Sequence, residues 1–145
     1  MTITIRRVIL VITAAIGSFV GLWAAFWPVA FYDAFPGLGR VWVGVDGPFN
    51  EHLIRDVGAL YLALAAASIY AAFTRDIGAS RAVGIGWIVF SLPHLGYHLG
   101  HLAGFAPIDV LGQLISLSST IILGIPLLLP NRRTRSTHHE GAATA

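Results

Sequence analysis

The sequence predicts an all-α integral membrane protein, a four-helix bundle with both termini in the cytoplasm. Of its 145 residues 56% are hydrophobic and 11% charged, with a mean hydropathy of +0.75. A soluble domain carries about a quarter charged residues, so this chain has too little polar surface to cover a water-soluble globule. Apolar runs of membrane-crossing length recur along the chain, and the arginines gather beside them on one side. Together these observations make one membrane domain of residues 1–130, with lipid as its solvent and no internal repeat.

The first span is expected at residues 8–31, after a head that ends in Arg6-Arg7. A helix over this uncharged run reaches about 36 Å, enough to cross a hydrocarbon core of about 30 Å with tilt. The run exceeds a secretory h-region, and Trp23 and Trp27 stand where a small-residue cleavage site belongs, so it reads as a retained span. Trp27 and Tyr32 suit an aromatic belt at the far interface. Residues 33–50 are rich in Gly and Pro, with Asp46-Gly47 as a turn signal. Within them, residues 40–45 read R-V-W-V-G-V, apolar enough for a short hairpin or an interfacial lid; a floppy linker is the plain alternative.

Asn50 is an N-cap for the second span, residues 52–73, whose opening holds Glu51, His52, Arg55 and Asp56. Further on, Gly58, Ala59, Ala63, Ala66 and Ala67 offer spacings that let helices approach closely. Arg75, Asp76 and Arg81 mark a short connection. The third span, residues 82–105, contains Pro93, where a kink is expected. Pro107 suits the first turn of the fourth, residues 108–129, with Asp109 near its positive dipole end and Gln113 one turn later. Residues 131–145 read as a disordered cytoplasmic tail, and His138-His139 within it are incidental. Four spans leave Arg6, Arg7, Arg75, Arg81, Arg132, Arg133 and Arg135 on one side and Arg40 and Arg55 on the other. The positive-inside rule makes the first group cytoplasmic, in a multi-pass protein of the cell membrane.

Cysteine is absent, which excludes disulfides, thiolate nucleophiles and every Cys-ligated metal or iron–sulfur site. The arginines form no separate basic face, so nucleic acid is not an expected partner. The partners left open are a second copy of the chain and a larger membrane complex.

Residues 91–101, S-L-P-H-L-G-Y-H-L-G-H, carry the chemistry. His94, His98 and His101 follow i, i+4, i+7, which sets three imidazoles on one stripe of a helix. Ionisable side chains at membrane depth point to a functional site. The topology brings this stripe, the polar start of the second span, and Asp109 with Gln113 to one depth near the outer leaflet. Imidazole nitrogen with carboxylate oxygen suits zinc, copper or non-haem iron. The expected ligands are His94, His98, His52 and His101, with Asp56 and Glu51 as ligands or as groups that orient them. His52 and His98 on separate helices also suit a b-type haem, and redox chemistry fits either cofactor.

Plainer roles compete with this one. His101 reads equally as an interfacial histidine, His94 as a partner for a carbonyl freed near Pro93, Arg55 with Glu51 as a structural ion pair, and Asp109 as a helix-start residue. A proton-relay or transport module is a second class of function, because imidazoles titrate near neutral pH. An accessory subunit of a membrane complex is a third.

The second span, R-D-V-G-A-L-Y-L-A-L-A-A-A-S-I-Y-A, resembles the small four-helix bacterial membrane proteins grouped as DoxX-like, which show an arginine at the helix start followed by a glycine and an aromatic. The resemblance implies a cytoplasmic-membrane protein, in some members linked to quinone-associated oxidoreduction or stress responses. It implies no site residues for this chain, and the histidine stripe is not part of that pattern.

Overall fold

The computed structural model describes residues 1–74 and 76–130. Arg75 and the proposed tail with Arg132, Arg133 and Arg135 lie outside the described residues. The chain forms α1 (Ile3–Phe26), α2 (Pro28–Ala34), β1 (Pro36–Gly37), β2 (Arg40–Val41), α3 (Val43–Asp46), α4 (Glu51–Phe73), α5 (Ile77–Gly100) and α6 (Pro107–Leu127). Its long helices are α1, α4, α5 and α6; α1 lies along α4 and α5 along α6, with further contacts between α4 and α5 and between α1 and α6.

Three of them, α1, α4 and α6, are long and apolar enough to cross a membrane. Many of their large apolar side chains face outward, among them Phe19, Leu60 and Ile115, as lipid-facing residues do. Helix α5 has 24 residues, yet its glycines and histidines hold it below the apolar level of the other three.

The first span differs from its expected bounds. Helix α1 starts five residues earlier, at Ile3, because the Thr2 hydroxyl caps it by accepting from the Ile5 N–H at 3.2 Å. Arg6 therefore lies inside the helix. Its guanidinium donates to the carbonyls of Leu127 at 2.6 Å and Leu129 at 2.5 Å, satisfying the end of α6. The Met1 ammonium donates to the Pro130 carbonyl at 2.7 Å, so the first and last described residues meet at one end. At the other end the helix stops at Phe26 rather than running to Phe31. Pro28 lacks an N–H and its ring obstructs the preceding turn, so the chain restarts as α2.

Close approach of α1 and α4 depends on missing side chains. A Cβ on Gly58 would stand 2.5 Å from the Ala25 nitrogen, and one on Gly21 2.9 Å from the Gly58 carbonyl oxygen. Of the small residues singled out in this helix, Gly58 alone is buried; Ala59, Ala63, Ala66 and Ala67 face outward. The packed stripe is Ile54, Gly58, Tyr61, Ala65, Ser68 and Ala72, which alternates steps of four and three residues.

Trp87, Leu10 and Leu127 are fully buried in the main apolar cluster. Polar groups there are paired inside the protein, as an apolar surround requires. The Trp87 indole donates to Ser68 Oγ at 3.0 Å, Thr13 Oγ1 lies 3.3 Å from the same oxygen, and Ser91 Oγ lies 2.8 Å from Thr120 Oγ1.

Candidate functional site

The segment between α1 and α4 is an ordered lid. Its core is β1 paired antiparallel with β2, followed by α3. The Trp42 N–H donates to the Phe35 carbonyl at 2.8 Å, and the Tyr32 hydroxyl donates to the Gly47 carbonyl at 2.8 Å. Tyr32 is thus a strut within the lid. Phe31, Phe35 and Trp23 interlock edge to face, with ring centroids 5.8 Å apart for Trp23–Phe35 and 5.9 Å for Trp23–Phe31. Asp109, in the first turn of α6, holds the lid from the other side. It accepts from Arg40 Nη1 at 3.1 Å and from Trp42 Nε1 at 2.9 Å.

Beneath the lid lies a cavity of about 420 Å³. Its walls are mostly apolar: Ile16 and Val20 from α1, Phe31 and Phe35 from the lid, Leu53, Ile54 and Val57 from α4, and Leu117 from α6. Its polar groups are His94 and His98 on α5, Gln113, Ser116 and Thr120 on α6, Tyr61 on α4, and Asp46 at the end of α3. His94 stacks on Phe90 with centroids 5.2 Å apart and meets His98 edge to face at 5.0 Å. The Asp46 carboxylate interacts electrostatically with both imidazoles. His98 Nδ1 and both polar atoms of the Gln113 amide are buried without a hydrogen-bond partner.

Of the expected set, the structure brings His94, His98 and Gln113 together. His52, Glu51 and Asp56 stay outside the cavity. The cause is helical phase: Leu53, Ile54, Val57 and Tyr61 occupy the inward arc of α4, leaving the charged residues the outward one. His52 and Asp56 side chains are 89% and 62% exposed and pair with each other, His52 Nε2 to Asp56 Oδ2 at 3.3 Å. A haem held between His52 and His98 therefore does not match this placement. Arg55 pairs with Glu51 at 2.8 Å and also donates to the Ala25 carbonyl, so it joins α4 to α1.

His101 leaves the stripe because α5 ends at Gly100. Its ring stacks on Tyr97 at 4.0 Å, and its Nδ1 lies 2.7 Å from the Tyr97 carbonyl oxygen. Asp109 serves as lid anchor rather than as a neighbour of the imidazoles. Among the described residues, no three His, Asp or Glu side chains gather closely enough to form a metal-binding group.

Asp46 and Trp42 escaped the sequence reading, which took Asp46-Gly47 as turn chemistry. The available signal was an acidic residue closing the apolar stretch 40–45, the pattern of a lid whose last turn faces inward. No family model, curated protein or solved structure matches this chain.

Proposed function

We propose that the chain is a multi-pass protein of the cytoplasmic membrane in which α1, α4, α5 and α6 form a four-span bundle. Its lidded cavity holds a small, mainly apolar ligand near the outer leaflet. The observation that carries this reading is the cavity itself. A volume of about 420 Å³ falls in the range of about 300–1,000 Å³ typical of small-molecule sites. The pattern of apolar walls with a few converging polar groups is that of a binding site rather than a packing defect. The arginine distribution supports the orientation. Arg6, Arg7 and Arg81 cluster near the Met1–Pro130 end, where the Arg81 Nε donates to the Leu128 carbonyl. Of the arginines among the described residues, Arg40 and Arg55 alone occupy the cavity end, so the positive-inside rule directs the cavity outward.

His94 and His98 supply nitrogen donors and acceptors to the ligand, while the lid and Tyr61 exclude water. The test is native mass spectrometry of protein purified from its own membrane, followed by organic extraction. Wild type is expected to carry a noncovalent small molecule that is lost in Val57→Trp, where an indole fills the cavity. Equal cargo in both proteins, or none in wild type, refutes the reading.

A metal centre is a second reading, favoured by the interaction of Asp46 with both imidazoles. Its protein donors in this fold would be His94 and His98, with Asp46 a neighbouring charge rather than a third ligand, because no three such side chains gather closely among the described residues. Elemental analysis of a protein truncated after residue 130, compared with its His94→Ala/His98→Ala variant, tests it. Stoichiometric metal that disappears in the variant supports this centre, and equal metal in both rejects it.

A further inference from the structure

Gln113 is 2% exposed and lines the cavity, and neither its amide oxygen nor its amide nitrogen has a hydrogen-bond partner. Its amide interacts with the His98 side chain without reaching hydrogen-bond geometry, and His98 Nδ1 is likewise unpartnered. Buried polar groups are nearly always satisfied, so a primary amide with both halves free marks a place where a partner fits. What it lacks is one acceptor and one donor side by side.

We infer that the ligand of this cavity is a neutral, mainly apolar molecule with a cis amide edge, such as a primary carboxamide, lactam, imide or urea. That edge closes a two-hydrogen-bond ring with Gln113. The inference rests on the proposed role of the cavity as a ligand site and names its ligand class.

Other head groups satisfy the site less well. An ester, ether or ketone accepts from the amide nitrogen and leaves the Gln113 oxygen bare. A single hydroxyl oxygen does not reach both halves of the amide with straight bonds. A carboxylate faces Asp46, and no arginine among the described residues lines the cavity to receive it. An ammonium group pairs with the oxygen and strands the nitrogen, in a mostly apolar enclosure that penalises its charge. An amide edge presents N–H and C=O at the spacing of Gln113 itself, and the second N–H or lone pair of a primary amide turns toward His98. Phe31, Phe35, Val57 and Leu117 then contact the apolar body.

Isothermal titration of the full chain in lipid nanodiscs, against empty nanodiscs, tests this with four probes of common apolar body. These are 4-hexylbenzamide, its N,N-dimethyl amide, methyl 4-hexylbenzoate and 4-hexylbenzoate. Wild type is expected to bind the primary amide at least tenfold more tightly than the other three. Gln113→Leu is expected to lose that preference while its affinity for the ester stays within threefold; Gln113→Met serves if the leucine variant does not fold. Binding without head-group preference in wild type, or a preference that survives removal of Gln113, overturns the amide assignment alone. Binding of none of the four overturns it together with the ligand-site reading.

Discussion

Replacing Asp109 with alanine is expected to release the lid. The carboxylate holds two groups of unequal value. Arg40 lies 3.1 Å from Asp109 Oδ2, but its side chain is 43% exposed, so that ion pair contributes only about 0.2–1 kcal/mol. The Trp42 indole N–H donates at 2.9 Å to Oδ1 in a partly buried setting, and a hydrogen bond to a charged acceptor contributes about 1.5–3 kcal/mol. Asp109→Ala removes both, about 2–4 kcal/mol of lid docking, equivalent to roughly 30-fold or more in the open population. Asp109→Asn keeps an acceptor for Trp42 and loses only charge assistance, about 1 kcal/mol or a factor of about five. Hydrogen exchange in nanodiscs reads this at the Trp42 amide: its bond to the Phe35 carbonyl lies within the lid, and so short a hairpin does not hold by itself once undocked. Peptides from the start of α6 serve as control, because loss of Asp109 also weakens that terminus by about 0.3–1 kcal/mol. Equal acceleration in the two variants would show that charge rather than the indole bond holds the lid. Unchanged exchange in both would refute the anchoring role.

Gly58→Ala is expected to lower stability by about 1–2 kcal/mol, since its Cβ meets Ala25 backbone at 2.5 Å and overpacking outweighs the gain in helix propensity. Gly96→Ala, where nothing lies within 4 Å, is expected to be neutral or stabilising by up to about 1 kcal/mol; unfolding in mixed detergent compares the pair. Ser68→Ala strands the buried Trp87 indole N–H, now bonded at 3.0 Å, and is expected to lower stability by about 1–3 kcal/mol in the same assay. His52→Ala removes an exposed pair with Asp56 and is expected to shift stability by no more than about 0.5 kcal/mol and leave ligand content unchanged; native mass spectrometry checks the second part.

The starts of α4 and α6 were legible because their signals are local, whereas α1 and α5 each begin five residues before the expected bound, capped by Thr2 and Asp76. Asn50 caps α4 by accepting the Leu53 N–H at 3.1 Å, and Pro107 opens α6 with Asp109 in its first turn. The break at Pro28 was equally local, but the length of the apolar run concealed it. Depth was legible and rotation was not. Glu51, His52 and Asp56 share the end of the molecule with the imidazoles, yet whether they face inward depends on which arc of α4 meets α1. Gly58, Gly21 and Gly17 settle that through backbone approach, a tertiary effect that composition does not encode. Pro93 lies inside α5, which runs on through it to Gly100. The lid was one of three readings of residues 40–45. Asp109, Trp42 and Tyr32 make it ordered through contacts that join distant parts of the sequence.

The most direct test of an outward, lidded cavity uses the absence of native cysteine. Gln113→Cys places a lone thiol on the cavity wall, and a membrane-impermeant cationic methanethiosulfonate is applied to intact cells. The account predicts modification from outside, accelerated at least tenfold when Asp109→Ala is added. A thiol inert from outside in both backgrounds, or reactive only from the cytoplasmic side of inverted vesicles, would contradict it.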